Sequence, residues 1–417
     1  MKHLFAVLIL ALGLAVPAQA QDECVVVGEE PRTGLEQEPA PAGKTIFGPD
    51  DPIALNVVIG YDSDLRVQAE AAGTTVAALF EEAFKWGNEA ARASGMRTRV
   101  RVFGLQEVPY TGITPAWSSI LPWWKNGPGA VMRNSHGAHL ALYAMSDSVM
   151  GGGGANFFTG SSQQVFSAAA IRADDPDPDD SPRAAGNGKS AFHEALGHTS
   201  GLRHSVPTDQ PGEGCWWEGD NTCRGYAWYS ESLGVRDIMA NVQLPSGSDF
   251  IQRFSNPEKT YQGEVTGEYG FMEAAQVADE NAPTIYNFVV PAGATACLDD
   301  GAGLCLLDRF YITVTWQTAD GSQGWGVPVQ LTDNPTTGKG GGYWWFFNQD
   351  NPEVFVKILN ACSFSPYYWV FATGLTDVEV HVQVEDTAHF GEVWTMDSVL
   401  GVPFPPNTDT NAFATCP

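Results

Sequence analysis

The chain has 417 residues, 43% of them hydrophobic, with 49 acidic residues against 22 Lys and Arg, a formal net charge of −27. That balance excludes nucleic acid and anionic membrane surfaces as electrostatic partners. The length exceeds what one hydrophobic core usually serves, so two globular domains are expected.

The N-terminus reads as a secretory signal peptide over residues 1–20: Lys2 and His3, an apolar run from Leu4 to Val16, then Ala18-Gln19-Ala20 before the expected cleavage point. The run is too short to span a bilayer, and no later segment approaches a span. The mature chain is therefore expected to be secreted or periplasmic, and a monomer. Residues 21–52, with "GEEPRTGLEQEPAPAGK" at their centre, are rich in Glu, Pro and Gly and read as a flexible leader or short pro-segment.

Regular patterning begins at Ile53. "IALNVVIGYD" reads as a strand. "TTVAALFEEAFKWGNEAARASG" then places Val76, Leu79, Phe80, Ala83, Trp86 and Ala90 at helical spacing, with Thr74 or Thr75 as N-cap and Gly95 at the stop. "RTRVRVFGLQEVPY" alternates like a strand, "AHLALYAM" (138–145) is a short buried strand, and "QVFSAAAI" (164–171) is another. The acidic loop "ADDPDPDDSPR" leads into a helix carrying His193, and a helical stretch around "GFMEAAQVADE" closes this part. Strands alternating with helices predict an α/β layer.

That helix opens the stretch "AFHEALGHTSGLRHS", residues 191–205. Zinc hydrolysis needs three protein ligands, an open position for water and a carboxylate to take the water's proton. His193, Glu194, His198 and His204 supply those residue types within twelve positions. Gly201 allows the sharp turn that would bring His204 back to the metal.

The stretch from His198 to Ser205 resembles the metzincin zinc metalloproteases, whose pattern is H-E-x-x-H-x-x-G-x-x-H. Met239 in "VRDIMAN" is similar to their Met-turn, which underlies the zinc without ligating it. The strand–helix–strand approach resembles reprolysin-like bacterial members, whereas Ser205 is more like the matrixins. The resemblance covers residues 53–282. It implies an α+β architecture with a metzincin-like catalytic domain, a mixed sheet and an active-site helix. It further implies an exported zinc endopeptidase acting on a protein or peptide substrate. His193, His198 and His204 would hold Zn2+, Glu194 would be the general base, and "QVFSAAAI" would pair with an extended substrate.

One residue is in excess, because His193 lies five positions before His198 rather than four. In a regular α-helix four positions turn a side chain by about 40° and five by about 140°, so the two histidines cannot share a face of an undisturbed helix. A π-bulge would restore the shared face, and "HEALGH" resembles locally the H-E-x-x-G-H motif of dipeptidyl peptidase III enzymes. The other register has no gap. It puts Glu194 at the first-ligand position and Ala195 at the base position, giving a metal-binding module without the usual base. The bulged register is the expectation, and the ungapped one is its alternative.

From Pro283 the texture changes to short alternating strands separated by Gly, Asn, Pro and Asp, among them "RFYITVTWQT", "GGYWWFFN", "EVFVKIL" and "VEVHVQVED". An all-β sandwich domain over residues 283–417 is expected. Its run Trp344, Trp345, Phe346, Phe347 divides between core and a face that could bind a polymer or surface. "DDPDPDD" (174–180) lacks EF-hand spacing, so Ca2+ there has no support. Seven cysteines in an exported chain should mostly pair. Cys215–Cys223, Cys297–Cys305 and Cys362–Cys416 are the expected bridges, with Cys24 left over; spacing alone leaves connectivity open. His136, His139, His381 and His389 have no motif partners and read as ordinary surface or core residues.

Overall fold

The computed structural model describes residues 25–26, 47–48, 50–110, 115–146, 154–156, 165–171, 189–204, 224–240, 249–288, 296–331 and 339–417. Residues 1–20, read above as a signal peptide, lie outside the described residues, as do most of 21–52, Cys24, the acidic stretch 174–180, Ser205, Cys215 and Cys223. Among the described residues no helix is long and apolar enough to cross a membrane.

The N-terminal part is built on a six-stranded sheet. Its strands are β1 (Val25–Val26), β2 (Ile53–Tyr61), β3 (Thr98–Glu107), β4 (Leu140–Ser146), β5 (Gly154–Asn156) and β6 (Phe166–Ile171), in the order β1-β5-β6-β4-β2-β3. The four strands β3, β2, β4 and β6 run parallel, and β5 runs antiparallel to β6. Such parallel strands are covered on both faces, and β4 and β6 are correspondingly buried at every position. The helix α1 (Ser63–Ala71) is capped by the Asp62 carboxylate, which accepts from Leu65 N at 2.7 Å. The long helix α2 (Val76–Ala93) starts at Thr75, whose hydroxyl accepts from Ala78 N, and buries Leu79, Phe80, Ala83 and Phe84. Gly95, at φ +77, ends it. Two helices that hydrophobic periodicity did not predict, α3 (Trp117–Asn126) and α4 (Pro128–His136), come next, and α3 carries Trp124 into the core.

One expectation is overturned by this topology. Strand β6, the "QVFSAAAI" stretch, lies between β4 and β5, so it presents no free edge to an extended substrate. Beyond it comes β5, and β1 lies parallel along the outer side of β5 as the last strand of the sheet, with Val25 opposite Ala155 and Val26 opposite Asn156.

The helix α5 (Lys189–Thr199) packs on β6, β5 and α2. Short strands β7 (Tyr229–Ser230), β8 (Val235–Arg236), β9 (Asp249–Phe250), β10 (Asn256–Tyr261) and β11 (Glu264–Thr266) follow, then α6 (Ala274–Tyr286). Helix α6 is tied to the sheet by Asp279, which accepts from Arg97 N and from Thr98 N and Oγ1. The boundary drawn at residue 283 falls inside this helix, and the first strand beyond it begins at Leu304.

The C-terminal part is two antiparallel sheets facing each other. One comprises β12 (Leu304–Leu306), β13 (Phe310–Gln317), β14 (Gln323–Trp325), β19 (Glu379–Asp386) and β20 (Val393–Asp397). The other comprises β15 (Val327–Gln330), β16 (Gly341–Trp345), β17 (Val354–Asn360), β18 (Tyr368–Gly374) and β21 (Asn407–Phe413). Ile312, Val314, Val356, Ile358, Val370, Val382 and Val384 alternate inward and fill the space between them. Trp344 and Phe346 join this core, while Phe347 is 56% exposed. The bridges Cys297–Cys305 and Cys362–Cys416 are both formed. The whole is an α+β chain with an all-β C-terminal part.

Candidate metal centre

Helix α5 is a regular α-helix through Thr199, with no π-bulge. Its regular 3.6-residue turn sets the fate of each motif residue. Glu194 and His198, four apart, share one face, and His193 points elsewhere. At the C-terminal end, Leu202 N donates to Gly197 O at 3.0 Å and Gly201 N to His198 O at 3.0 Å, closing the helix with Gly201 at φ +90. That left-handed turn belongs to glycine. A Cβ on Gly201 would also lie 2.6 Å from Asn281 Nδ2, the atom that donates to Ser200 O. Arg203 N then donates to Gly225 O, and the reversed chain sets His204 against the helix.

Three donor atoms converge there. His198 Nε2 stands 3.0 Å from His204 Nε2, His204 Nε2 is 2.8 Å from Glu194 Oε1, and His198 Nε2 is 4.0 Å from Glu194 Oε1. Among the described residues this is the group of His, Cys, Asp or Glu side chains close enough to hold a metal ion, with ligand atoms all within 4.8 Å of one another. Two imidazoles and one carboxylate form a known zinc donor set. The surroundings of His198 are compatible with metal ligation. His198 Nδ1 lies 2.8 Å from Leu202 O, which fixes Nδ1 as the protonated nitrogen and leaves Nε2 as the free lone pair. Burial, and then the neighbouring His204, hold the His198 imidazole well below its usual value, so it stays neutral. The side chains of Glu194 and His204 are 19% and 23% exposed, so the cluster opens to solvent on one side.

His193 is not part of it. Its Nε2 lies 2.8 Å from Ala83 O on α2, and its ring packs edge-on against Phe84 with centroids 5.4 Å apart, and against Trp86. A Cβ on Gly87 would come within 1.8 Å of the ring, so the glycine forms the hollow in which His193 sits. Burial pushes its imidazole down to about 4. Of the expected ligands His193, His198 and His204, the structure brings only the last two together, and the third side chain beside them is Glu194. Glu194 thus lies within reach of the same point as the two histidines, and Ala195, the next residue, is buried.

Met239 is fully buried, and a Cβ on Gly197 would lie 2.5 Å from its sulfur, so the methionine passes directly beneath α5. Asp237 shapes that turn by accepting from Trp228 N at 2.9 Å and Met239 N at 3.0 Å. Burial raises the Asp237 carboxyl to about 7. Sequence reasoning did not single out Gly87, Asp237 or Asn281. Asp237 sits inside the quoted "VRDIMAN", while Gly87 is an unremarked position in the middle of α2. Among the other described histidines, His139 is fully buried and accepts from Asn56 N at 2.8 Å, and His381 pairs with Asp397 across two strands.

No protein-family model and no curated protein matches this chain. Among solved structures, one described as the structure of a chaperone–substrate complex is similar over 58% of this chain, at 18% identity and a TM-score of 0.43. The match covers 35% of that structure's own chain.

Proposed function

We propose that this chain is an exported zinc-binding protein on a metzincin-like peptidase scaffold, with Glu194, His198 and His204 as its three protein ligands. The observation that carries the reading is the convergence of Glu194 Oε1, His198 Nε2 and His204 Nε2, while His193 is engaged by the Ala83 carbonyl. The mixed sheet, the helix bearing the donors, the Gly201 turn and Met239 beneath Gly197 support the scaffold assignment. Zinc held there would supply a Lewis acid that polarises a carbonyl and a bound water.

The chain's own residues limit the chemistry open to the site. Leu202 O orients His198, and the fold at Gly201 delivers His204. Ala195, at the position of the usual base, has no atom that can accept a proton. With Glu194 spent on the ion, the site binds metal without a dedicated base, and this metal-binding module is the first reading. Peptide hydrolysis is the second, favoured by the solvent-open side of the cluster and by Glu194 offering only one carboxylate oxygen to it. In that reading the remaining oxygen, Oε2, would accept the proton of the attacking water.

Metal content of purified variants tests the ligand set without any substrate. Wild type should carry about one zinc per chain. Glu194→Gln should come out largely metal-free, and His193→Ala should keep its zinc although its melting temperature falls. Zinc retained by Glu194→Gln and lost from His193→Ala would overturn the assignment. Cleavage of casein with and without chelator then separates the two readings: the first expects no chelator-sensitive cleavage.

A further inference from the structure

The C-terminal sandwich carries a second concave site, unrelated to the metal cluster. At one end of the two sheets, the connection between β16 and β17, the turn after β18 and the segment before β21 line an open cleft of about 470 Å3. Phe347, Leu375 and Pro403 wall it, and Glu353 and Asp377 contribute its carboxylates. Phe347 is 56% exposed, yet its ring is propped edge-on by Trp316 at 4.8 Å between centroids.

Glu353 is the unusual member. It is only 5% exposed, and its backbone is pinned on both sides, with its N–H donating to Trp344 O at 2.8 Å and its carbonyl accepting from Leu375 N at 2.7 Å. The carboxylate accepts from the Asn351 side-chain amide, and among the described residues no Lys, Arg or His pairs with it. The residue lines the cleft, so its carboxylate offers negative charge to a cation entering there. Gly374 allows the close packing behind it, since a Cβ there would lie 2.9 Å from Glu353 O.

We propose that this cleft binds an alkylammonium group, a primary amine on an apolar stem, with Glu353 and Asp377 balancing the charge and Phe347 presenting its ring. The volume lies in the range of small-molecule sites and exceeds what a bare ammonium fills, so the apolar stem enters with it. Aromatic faces attract such cations. Two carboxylates without a third donor do not make a metal site, and the metal-competent group among the described residues is elsewhere. The formal charge of −27 draws cations toward the surface as a whole. The source of the amine is either a free alkylamine or a lysine side chain.

Isothermal titration of the full-length protein decides the matter. The probes are n-hexylammonium, the tripeptide Gly-Lys-Gly with blocked ends, and n-hexanol as neutral isostere. The expected result is binding of at least one ammonium probe with a dissociation constant of order 1 mM, weakened by salt, and much weaker binding of hexanol. Binding of both ammonium probes identifies the ammonium and its stem as the recognised unit, and binding of the peptide alone identifies a polypeptide source. Glu353→Gln should weaken binding about tenfold or more. Asp377→Asn and Phe347→Ala, at exposed positions, should weaken it severalfold and supply the test if Glu353→Gln does not fold. Asp308→Asn, an exposed acidic residue outside the cleft lining, should change nothing. Failure of both ammonium probes, equal binding of hexanol, or affinity unaffected by the cleft substitutions would overturn the proposal. Loss of zinc through Glu194→Gln leaves these expectations intact, so this site and the metal site fail separately.

Discussion

Gly87 has a hydrogen where any other residue would place a carbon 1.8 Å from the His193 ring, and the Ala83 carbonyl waits 2.8 Å from its Nε2. Those two features on α2 keep His193 in the core and let α5 remain a regular helix, with Glu194 toward His198 and His204. The proton linkage of His193 arises from its burial. Its imidazole is held at about 4 against an ordinary 6.5, so the folded chain refuses a proton that the unfolded chain accepts. The stabilisation is fully present above pH 6.5 and is lost as the pH falls toward 4. His193→Phe keeps a ring in the hollow but removes this titration and a hydrogen bond worth about 1 kcal/mol. Its melting temperature should therefore lie below wild type at pH 7.5 and close the gap, or overtake, at pH 4.5, with zinc retained at pH 7.5. Calorimetry at the two pH values checks this. The motif residues themselves were legible in the sequence, because His198, Gly201 and His204 keep a recognisable spacing. The register was not, because the residues that settle it lie on another helix, 110 positions before His193 in the case of Ala83.

The turn after α5 makes the site possible, since the helix alone supplies only Glu194 and His198. Gly201 at φ +90 reverses the chain, and Asn281 on α6 fills the space where a side chain would stand. Gly201→Ala therefore meets both an unfavourable backbone conformation and a steric conflict. A cost of about 1–3 kcal/mol is expected, together with a loss of zinc affinity of tenfold or more as His204 is displaced. A zinc titration with a competing chelator, beside a thermal melt, reads both effects. Strands β2, β3, β4 and β6 and helix α2 were visible as hydrophobic periodicity. Helices α3 and α4 were not, because Pro122 lies inside α3 while Gly127, Pro128 and Gly129 crowd the junction. Those residues read as breakers; α3 exists because Trp124 and Ile120 bury themselves against the sheet. The π-bulge was the converse error: a local irregularity inferred to rescue a ligand, where tertiary packing had already given that residue another place.

At the scale of the whole chain, the sandwich is joined to the N-terminal sheet by polar groups removed from water. Arg101 on β3 reaches Glu385 on β19 at 2.8 Å, with both side chains about nine-tenths buried, and its guanidinium lies 3.9 Å above the Tyr311 ring. Beside it Asp300 accepts from Val102 N and from the Tyr311 hydroxyl, Asn88 Nδ2 donates to Asp300 O, and Trp325 Nε1 donates to Arg97 O. Removing one charge of a buried pair strands the other, typically at about 3–5 kcal/mol. Glu385→Gln should thus destabilise the junction more than the double replacement Arg101→Met with Glu385→Leu, and calorimetric scans of the two variants should show that order. The texture change near residue 283 predicted a second architecture, whose first strand begins at Leu304, but alternation along single strands contains no record of which strands of the two parts would meet.

Strand β1 makes only two residue pairings with β5, too few to hold an independent peptide. It belongs to the same chain as β2, however, and a strand supplied in cis meets its partner at an effective concentration that a separate peptide has to match. Any other extended chain seeking that edge competes with this local supply, whatever its own bulk concentration. A single peptide-bond cleavage between β1 and β2 would abolish the advantage at once. The edge of β5 therefore behaves as a seat reserved by tethering rather than by affinity, and its availability is set by the integrity of one connection.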